Sequence, residues 1–403
     1  MTIIITGYAH PFPMDAETAP ETKAQRLKIL DIYKGMAIMG VIITHLVLLQ
    51  NGTNGKEGDP SAVVQFMFSG LFMFMLVSGY FYKPGGTYLE KVKKRVVPLV
   101  VIYVAAIVVM TLLTFAYMVI IGYDLTPYCS PFELISKVLI GKNAFLEIGS
   151  EAFIAATHTL APFEVTIMMY YLGILALGYL IFYAIADRVL KDWRITIVTA
   201  AVLFLISSLY IEFVGIQLPF FAIYAPLVAA FLLIGALMAK YNFAGLLQDG
   251  YKTKKFWIGL VIALVCMVTC LILFPANTDV VYVEIGDYGA FSVLTLAAIS
   301  LSCGIVQLYI ASLFMRIPGV SHLFNAMGFN VLYLFLLHVM VAKFIIAPFV
   351  EIGIDYIIPL DFVPALILAF GTIAAILVMS YIYHRIKPKM LEKVCSKKGT
   401  SET

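Results

Sequence analysis

Long apolar stretches separated by short polar segments dominate the chain from residue 30 onward. A helix needs ~20 apolar residues to cross a hydrocarbon core of about 30 Å, and ten stretches reach that length. They lie at 30–50, 61–82, 96–122, 164–186, 195–215, 220–239, 256–275, 289–314, 329–350 and 361–383. The pattern therefore predicts an all-α polytopic membrane protein with about ten transmembrane helices.

The composition excludes the soluble classes of protein. Of the 403 residues, 62% are hydrophobic and 13% are charged, whereas a soluble domain carries roughly 25% charged residues. So few charges cannot cover a water-exposed surface, which excludes a soluble enzyme, a disordered protein and a nucleic-acid-binding protein. The five cysteines show neither a disulfide framework nor metal-ligand spacing, so no metal site is expected.

The positions of lysine and arginine predict the orientation in a cell membrane. With the N-terminus inside and ten crossings, 22 of the 27 cations fall in inside segments and three fall outside. This bias is typical of cytoplasmic loops. It predicts a cytoplasmic tail at 1–29, a membrane domain at 30–383 and a basic cytoplasmic tail at 384–403.

One predicted external segment, 123–163, is longer than the others. Its prolines, acidic residues and moderate apolarity favour short interfacial or re-entrant helices. Such a segment could cover an external substrate site, or it could be a plain connection.

The first predicted helix carries three ionisable residues, Asp31, Lys34 and His45. A charge within a transmembrane helix costs roughly 2.5–3.5 kcal/mol, so each one needs a reason. Lys34 and His45 are 11 residues apart, which places them within about 20° on one helix face and roughly 16 Å apart along the axis. Asp31 precedes Lys34 by three residues, close enough to form an ion pair. A structural interpretation stays open, in which Lys34 extends to the surface and His45 makes a structural hydrogen bond.

His338 and Lys343 are ionisable residues of the ninth predicted helix. His338 could bond to a neighbouring helix, or it could share a polar cavity with His45. Lys343 lies nearer the predicted outer surface, and we interpret it as extending to that interface.

Four cations, Lys91, Lys93, Lys94 and Arg95, lie within five residues after the second predicted helix. They could reflect membrane orientation alone, or they could bind anionic lipid. They could equally hold the phosphates of a soluble ligand.

Five short motifs follow one another along the chain in a recognisable order. Arg26, Asp31, Lys34-Gly35 and His45 form the first, and LFMFMLVSGY at 71–80 is the second. The others are KRVVP at 94–98, YYL at 170–172 and FLLH at 335–338. The ordered set resembles the integral-membrane acyltransferase 3 family, and the Lys-Gly form of the first motif is most similar to its sugar O-acetylase-like branch. Tyr170 and Phe335 stand where that family has tryptophan and tyrosine.

This resemblance implies transfer of an acyl group, usually acetyl, from cytoplasmic acyl-CoA to a hydroxyl of a sugar, glycan or similar small acceptor. It implies that His45 is the general base, because histidine titrates in the useful range. It also implies that Lys34 contacts the pantetheine of the donor or its thioester region, where its charge could polarise the acyl carbonyl. Lys93, Lys94 and Arg95 would bind the phosphates of CoA. Acetyl-CoA is then a donor substrate, and no tightly bound cofactor is expected.

The remaining candidate residues would bind the acceptor or support the site. They are Asp31, Ser78, Tyr80 and His338.

Two other functions stay open at this stage. A transporter or exporter of a lipid-linked sugar or small solute would use the same scaffold without acyl chemistry, but would more typically show broken helices at matched positions in two halves. A membrane partner protein without chemistry of its own is the third interpretation.

Overall fold

The computed structural model describes residues 27–54, 70–120, 170–214, 219–273, 292–342 and 362–399, and all regular structure within these ranges is helical. The predicted external segment 123–163, most of the N-terminal tail and Lys343 lie outside the described residues.

Thirteen α-helices cover the described ranges. In chain order they are α1 (Lys28–Asn54), α2 (Gly70–Tyr80), α3 (Tyr88–Lys91), α4 (Val97–Ile120), α5 (Tyr170–Val189), α6 (Trp193–Phe213), α7 (Ala225–Lys240), α8 (Phe243–Gly250), α9 (Lys254–Leu273), α10 (Ser292–Phe314), α11 (Pro318–Phe329), α12 (Val331–Val341) and α13 (Phe362–Gly399). A π-helical turn, Val92–Val96, joins α3 to α4, and a 3₁₀ turn, Pro219–Tyr224, precedes α7.

Seven described helices are long and apolar enough to cross a membrane, or eight if the bent pair α11–α12 counts as one span. The prediction of an all-α polytopic membrane protein is therefore confirmed. The predicted number of about ten and the cytoplasmic position of both termini stay predictions. At its C-terminal end, α13 continues past the predicted boundary at residue 383 without a break.

Large apolar side chains on the outer helices face away from the protein. On α9, Ile258, Val261, Ile262 and Val265 are each more than half exposed. A continuous apolar surface of this kind is unfavourable in water and favourable against lipid acyl chains. The exposed face of α9 is thus a lipid-facing surface.

The centre of the bundle is α7, which is apolar on every side. Val228 through Leu233 are completely buried, the pattern expected of a helix surrounded by other helices. Its backbone touches that of α2, because a Cβ at Gly79 would meet the carbonyl of Leu232 and one at Gly235 would meet the carbonyl of Leu76. In a membrane, helices associate through close packing, because no hydrophobic driving force brings them together. Small residues such as these glycines permit that close packing.

Several connections meet at one end of the bundle, which we call the basic end. Lys240 Nζ donates to the carbonyls of Leu190 at 2.7 Å and Lys191 at 2.9 Å. The guanidinium of Arg316 donates to the carbonyl of Gln248 and lies 3.7 Å from the centre of the Tyr251 ring. These contacts bring together the connections at 190–192, 241–242, 251–253 and 315–317. Lys240 and Arg316 therefore each tie a connection to its neighbour at this end.

Candidate functional site

The ion pair predicted on α1 is present. Lys34 Nζ lies 2.8 Å from Asp31 Oδ1, and the two side chains are only 14% and 6% exposed. Lys34 is thus ion-paired and mostly enclosed, which favours the ion pair over extension to the surface. A mostly buried charge pair is stable only where its geometry is good, so the position of the Lys34 side chain is well defined.

The backbones of α1 and α11 touch beside this pair. A Cβ at Gly35 would meet the carbonyl of Phe324, and one at Gly328 would meet the carbonyl of Asp31. The two glycines lie on opposite helices, and neither places a side chain in the interface between them. Gly35 follows Lys34 directly, which means that the position of Lys34 depends on this contact.

Tyr33 is a residue of the site that the sequence reasoning missed. Its hydroxyl is buried and donates to the carbonyl of Gly304 on α10 at 2.9 Å. A buried phenol normally requires such a partner, so a tyrosine beside Lys34 in an apolar helix was the available signal. The bond fixes α1 against α10 on the side away from α11.

His45 lies on the same helix as Lys34, since α1 runs unbroken from Lys28 to Asn54. Its side chain lies outside the described residues. The rotation and rise of an α-helix therefore apply to the pair, and the predicted axial separation of roughly 16 Å stands.

His338 is completely buried on α12, a helix that packs against α1. Its Nδ1 lies 3.0 Å from the carbonyl oxygen of Leu334 and 2.8 Å from that of Phe335. Carbonyl oxygens only accept hydrogen bonds, so Nδ1 is the nitrogen that carries a hydrogen. In the neutral imidazole, Nε2 is consequently the nitrogen that accepts.

A sharp bend precedes the helix that carries His338. The axes of α11 and α12 differ by 72°, and Asn330 lies at the break. Asn330 Nδ2 donates to the carbonyl of Ala326 at 2.8 Å, and Ser380 Oγ of α13 donates to Asn330 Oδ1 at 2.5 Å. The apolar pattern predicts a connection at 315–328, whereas most of this segment forms α11.

Three of the recognised motifs meet in the interior through aromatic rings. The Phe74 and Tyr171 ring centres are 6.4 Å apart, and those of Tyr171 and Phe335 are 5.5 Å apart. The Phe335 ring lies 6.3 Å from that of His338. Segments of α2, α5 and α12 that are far apart in sequence thus form one aromatic row that ends at His338.

The four cations after α2 differ in their surroundings. Lys93, Lys94 and Arg95 are exposed on the π-helical turn, whereas Val96 is buried. Lys91 is bound to Asp187 of α5 and to the hydroxyl of Tyr82. Three of the four cations are therefore presented at the surface of the basic end.

Ser78 and Tyr80 lie in the last turn of α2, near the basic end. Ser78 is hydrogen-bonded to the hydroxyl of Tyr179, and the Tyr80 hydroxyl accepts from the backbone of Ala244 and Gly245 in α8. These contacts join α2 to α5 and α8. They favour a supporting role over acceptor binding for both residues, a distinction that stays a prediction.

The structure thus has a mostly buried acid–lysine pair and a buried histidine on contacting helices of a membrane bundle, with exposed cations at one end. This is the arrangement of an integral-membrane protein with a polar interior site. The family model described as an acyltransferase domain, Acyl_transf_3, matches residues 27–384. The chain belongs to the acyltransferase 3 family and is a multi-pass membrane acyltransferase. Comparison with curated proteins gives no match, and comparison with solved structures gives none.

Proposed function

We propose that the protein is an O-acetyltransferase of the cell membrane, which moves an acetyl group from cytoplasmic acetyl-CoA to a hydroxyl of a sugar, glycan or similar small acceptor. The observation that supports it most directly is the mostly buried Lys34, held by Asp31 on the same helix as His45. A buried cation is costly in a membrane protein and is typically retained for function.

The donor approaches from the basic end in this proposal. Lys93, Lys94 and Arg95 are exposed there and match the negative charge of the CoA phosphates. Lys34 lies about 9 Å along the axis from the first residue of α1, so the pantetheine arm has to enter the bundle to reach it.

The acceptor meets the acyl group further along α1. The separation of roughly 16 Å between Lys34 and His45 exceeds the reach of one side chain, so the two residues act on different parts of the reactants. Lys34 contacts the pantetheine arm of the donor, while the thioester lies further along α1, where His45 acts on the acceptor hydroxyl.

The reaction is a direct acyl transfer. His45 removes the proton of the acceptor hydroxyl as its oxygen attacks the thioester carbon. A carbon–oxygen bond forms, the carbon–sulfur bond breaks, and the CoA thiolate takes up the proton that the imidazolium releases. Asp31 holds Lys34 in place, while Nε2 of His338 accepts a hydrogen bond from the acceptor.

Label transfer from radioactive acetyl-CoA tests the proposal. The purified protein in liposomes is offered a panel of glycans, glycolipids and small sugars as acceptors. A missing general base lowers the rate by about 10²–10⁴-fold, so His45→Ala should lose transfer while His322→Ala, at an exposed histidine of α11, retains it. Full activity in His45→Ala would exclude His45 as the base.

Transport of a small solute is the second candidate function, and the bend between α11 and α12 favours it. Broken helices form the substrate sites of many transporters, usually as a matched pair in two halves. The described ranges contain one such bent pair. Solute flux that is independent of CoA, together with no label transfer to any acceptor, would support transport instead of acetylation.

A further inference from the structure

A closed network of polar groups lies immediately before the basic π-helical turn. Lys91 Nζ donates to the Tyr82 hydroxyl at 3.0 Å and forms an ion pair with Asp187 Oδ2, while the Tyr82 hydroxyl donates to Asp187 Oδ1. The lysine side chain is 10% exposed and the aspartate 44%. The network thus joins the connection after α2, the last residue of α3 and the end of α5.

The connection that carries Tyr82 is itself well defined. Gly85 and Gly86 have φ of +98° and +72°, a conformation that favours glycine. The Asp187 carboxylate also accepts from the backbone N–H of Gly85. Asp187 therefore holds both the turn and Lys91.

A capping box then starts the helix that leads to the cations. The backbone N–H of Glu90 donates to Thr87 Oγ1 at 3.3 Å, and that of Thr87 donates to Glu90 Oε2 at 2.9 Å. This reciprocal pair fixes the first turn of α3, so the path of the backbone into Lys91 is determined on both sides.

The π-helical turn then sets the direction of the three exposed cations. The N–H of Val97 bonds to the carbonyl of Val92, five residues earlier, and a turn of this type is frequent at functional sites. Lys91, which directly precedes the turn, is held by the network, and Val96 within the turn is buried; Lys93, Lys94 and Arg95 lie between them. The rotation of the segment about its axis therefore depends on the contacts of both Lys91 and Val96.

We propose that Tyr82, Lys91 and Asp187 are positioning residues of the donor site. They hold the π-helical turn in the rotation at which Lys93, Lys94 and Arg95 contact the phosphates of CoA, and Lys91 is not itself a phosphate ligand. The inference rests on the proposed function, because it assumes that CoA binds at the basic end.

A purely electrostatic role of Asp187 predicts the opposite sign. A carboxylate near bound phosphates repels them, so its neutralisation alone would strengthen CoA binding. If Asp187 instead positions the cations, its neutralisation weakens binding. Tyr82→Phe removes only the hydroxyl and changes no charge. Weaker CoA binding by this variant would therefore reflect the position of the cations and not the charge of the network.

Equilibrium binding of radiolabelled CoA to the protein in nanodiscs of zwitterionic lipid tests the proposal. Tyr82→Phe and Asp187→Asn should bind CoA about three- to tenfold more weakly, because three surface charges lose part of their contact with phosphate. Tyr88→Phe and Asp249→Asn alter exposed residues outside the network and should bind as the wild type does.

A donor without phosphates shows whether the effect is local. With acetyl-pantetheine as the donor, the two network variants should retain the wild-type kcat/KM, and with acetyl-CoA they should raise KM without lowering kcat. An equal loss with both donors would mean that the network is only structural, and unchanged or tighter CoA binding by Asp187→Asn would exclude positioning. If the wild type itself binds no CoA, the proposed function fails, and this inference fails with it.

Discussion

Replacement of Gly35 by alanine should damage the protein out of proportion to the single methyl group that it adds. A Cβ at this position lies 2.8 Å from the carbonyl carbon and 3.0 Å from the Cα of Phe324. Across the same interface, a Cβ at Gly328 lies 2.7 Å from the carbonyl carbon of Asp31. The obstructing atoms belong to the backbone, so no rotation of a side chain can relieve the clash.

The size of the effect follows from these distances. Carbon atoms pack favourably at about 3.5–4.0 Å, so α1 and α11 have to separate locally by at least about 0.7 Å. Overpacking of this kind costs about 1–3 kcal/mol, and alanine in a helix recovers roughly 0.5–1 kcal/mol relative to glycine. The closest obstructing atom is the carbonyl oxygen of Phe324, so the upper part of this cost applies, and we expect Gly35→Ala to lower the free energy of unfolding by about 1–2.5 kcal/mol. Because Lys34 moves with the backbone, acetyl transfer should fall further, by up to about 100-fold.

Two measurements on the detergent-solubilised protein check this prediction. Denaturant-induced unfolding gives the stability, and label transfer from acetyl-CoA gives the activity. Gly319→Ala is the matched control, because a Cβ at Gly319 on α11 would meet nothing within 4 Å, and it should retain both properties. If Gly35→Ala also retained wild-type stability and activity, the close contact of α1 with α11 and the reasoning from it would be refuted.

Three further substitutions test the polar contacts of the interior. Asp31→Asn removes the charge that pairs with Lys34 and should lower the free energy of unfolding by about 3–5 kcal/mol; an unchanged unfolding curve would show that the pair contributes nothing. Ser380→Ala removes the hydrogen bond to Asn330 at the bend and should lower the free energy of unfolding by about 0.5–1.5 kcal/mol. An unchanged thermal unfolding temperature would show that other contacts hold the bend. His338→Asn keeps a donor where Nδ1 lies and should fold but lose acetyl transfer, whereas His338→Gln keeps a polar group where Nε2 lies and should retain part of the activity; the reverse order would place the essential group at Nδ1.

The sequence predicts the helices well because the membrane imposes their length. A run of ~20 apolar residues has few alternatives to a helix in lipid, and each predicted stretch overlaps a described helix. The bend at Asn330 is different in kind. It depends on hydrogen bonds to Ala326 and to Ser380 on another helix, and no periodicity of a single segment encodes an angle of 72°.

The ion pair of Asp31 with Lys34 could be predicted because both partners lie on one turn of one helix. The pairing of Lys91 with Asp187 could not, since the two residues are 96 positions apart. In the sequence, Lys91 is one of four equivalent cations. Only the fold separates it from the three that are exposed, and this separation is what makes the positioning proposal possible.

The role of a glycine also cannot be predicted from the sequence alone. Gly35 and Gly319 look alike in the sequence, yet a side chain at the first would meet the backbone of another helix and one at the second would meet nothing. The glycine after Lys34 in the first motif is thus explained by packing between α1 and α11. Its presence carries no information about the reaction, except that it lets Lys34 lie where it does.

The aromatic residues of the other motifs can likewise be divided into those explained by packing and those with a proposed role in the reaction. Phe74, Tyr171 and Phe335 come from three motifs and are all buried against one another, so these positions require aromatic volume in the first place. Phe335 retains that volume while it lacks the hydroxyl of the tyrosine that the family has there. A phenylalanine ring offers no hydrogen bond to a sugar, so under the proposed function His338 is the residue of that motif that we expect to orient the acceptor.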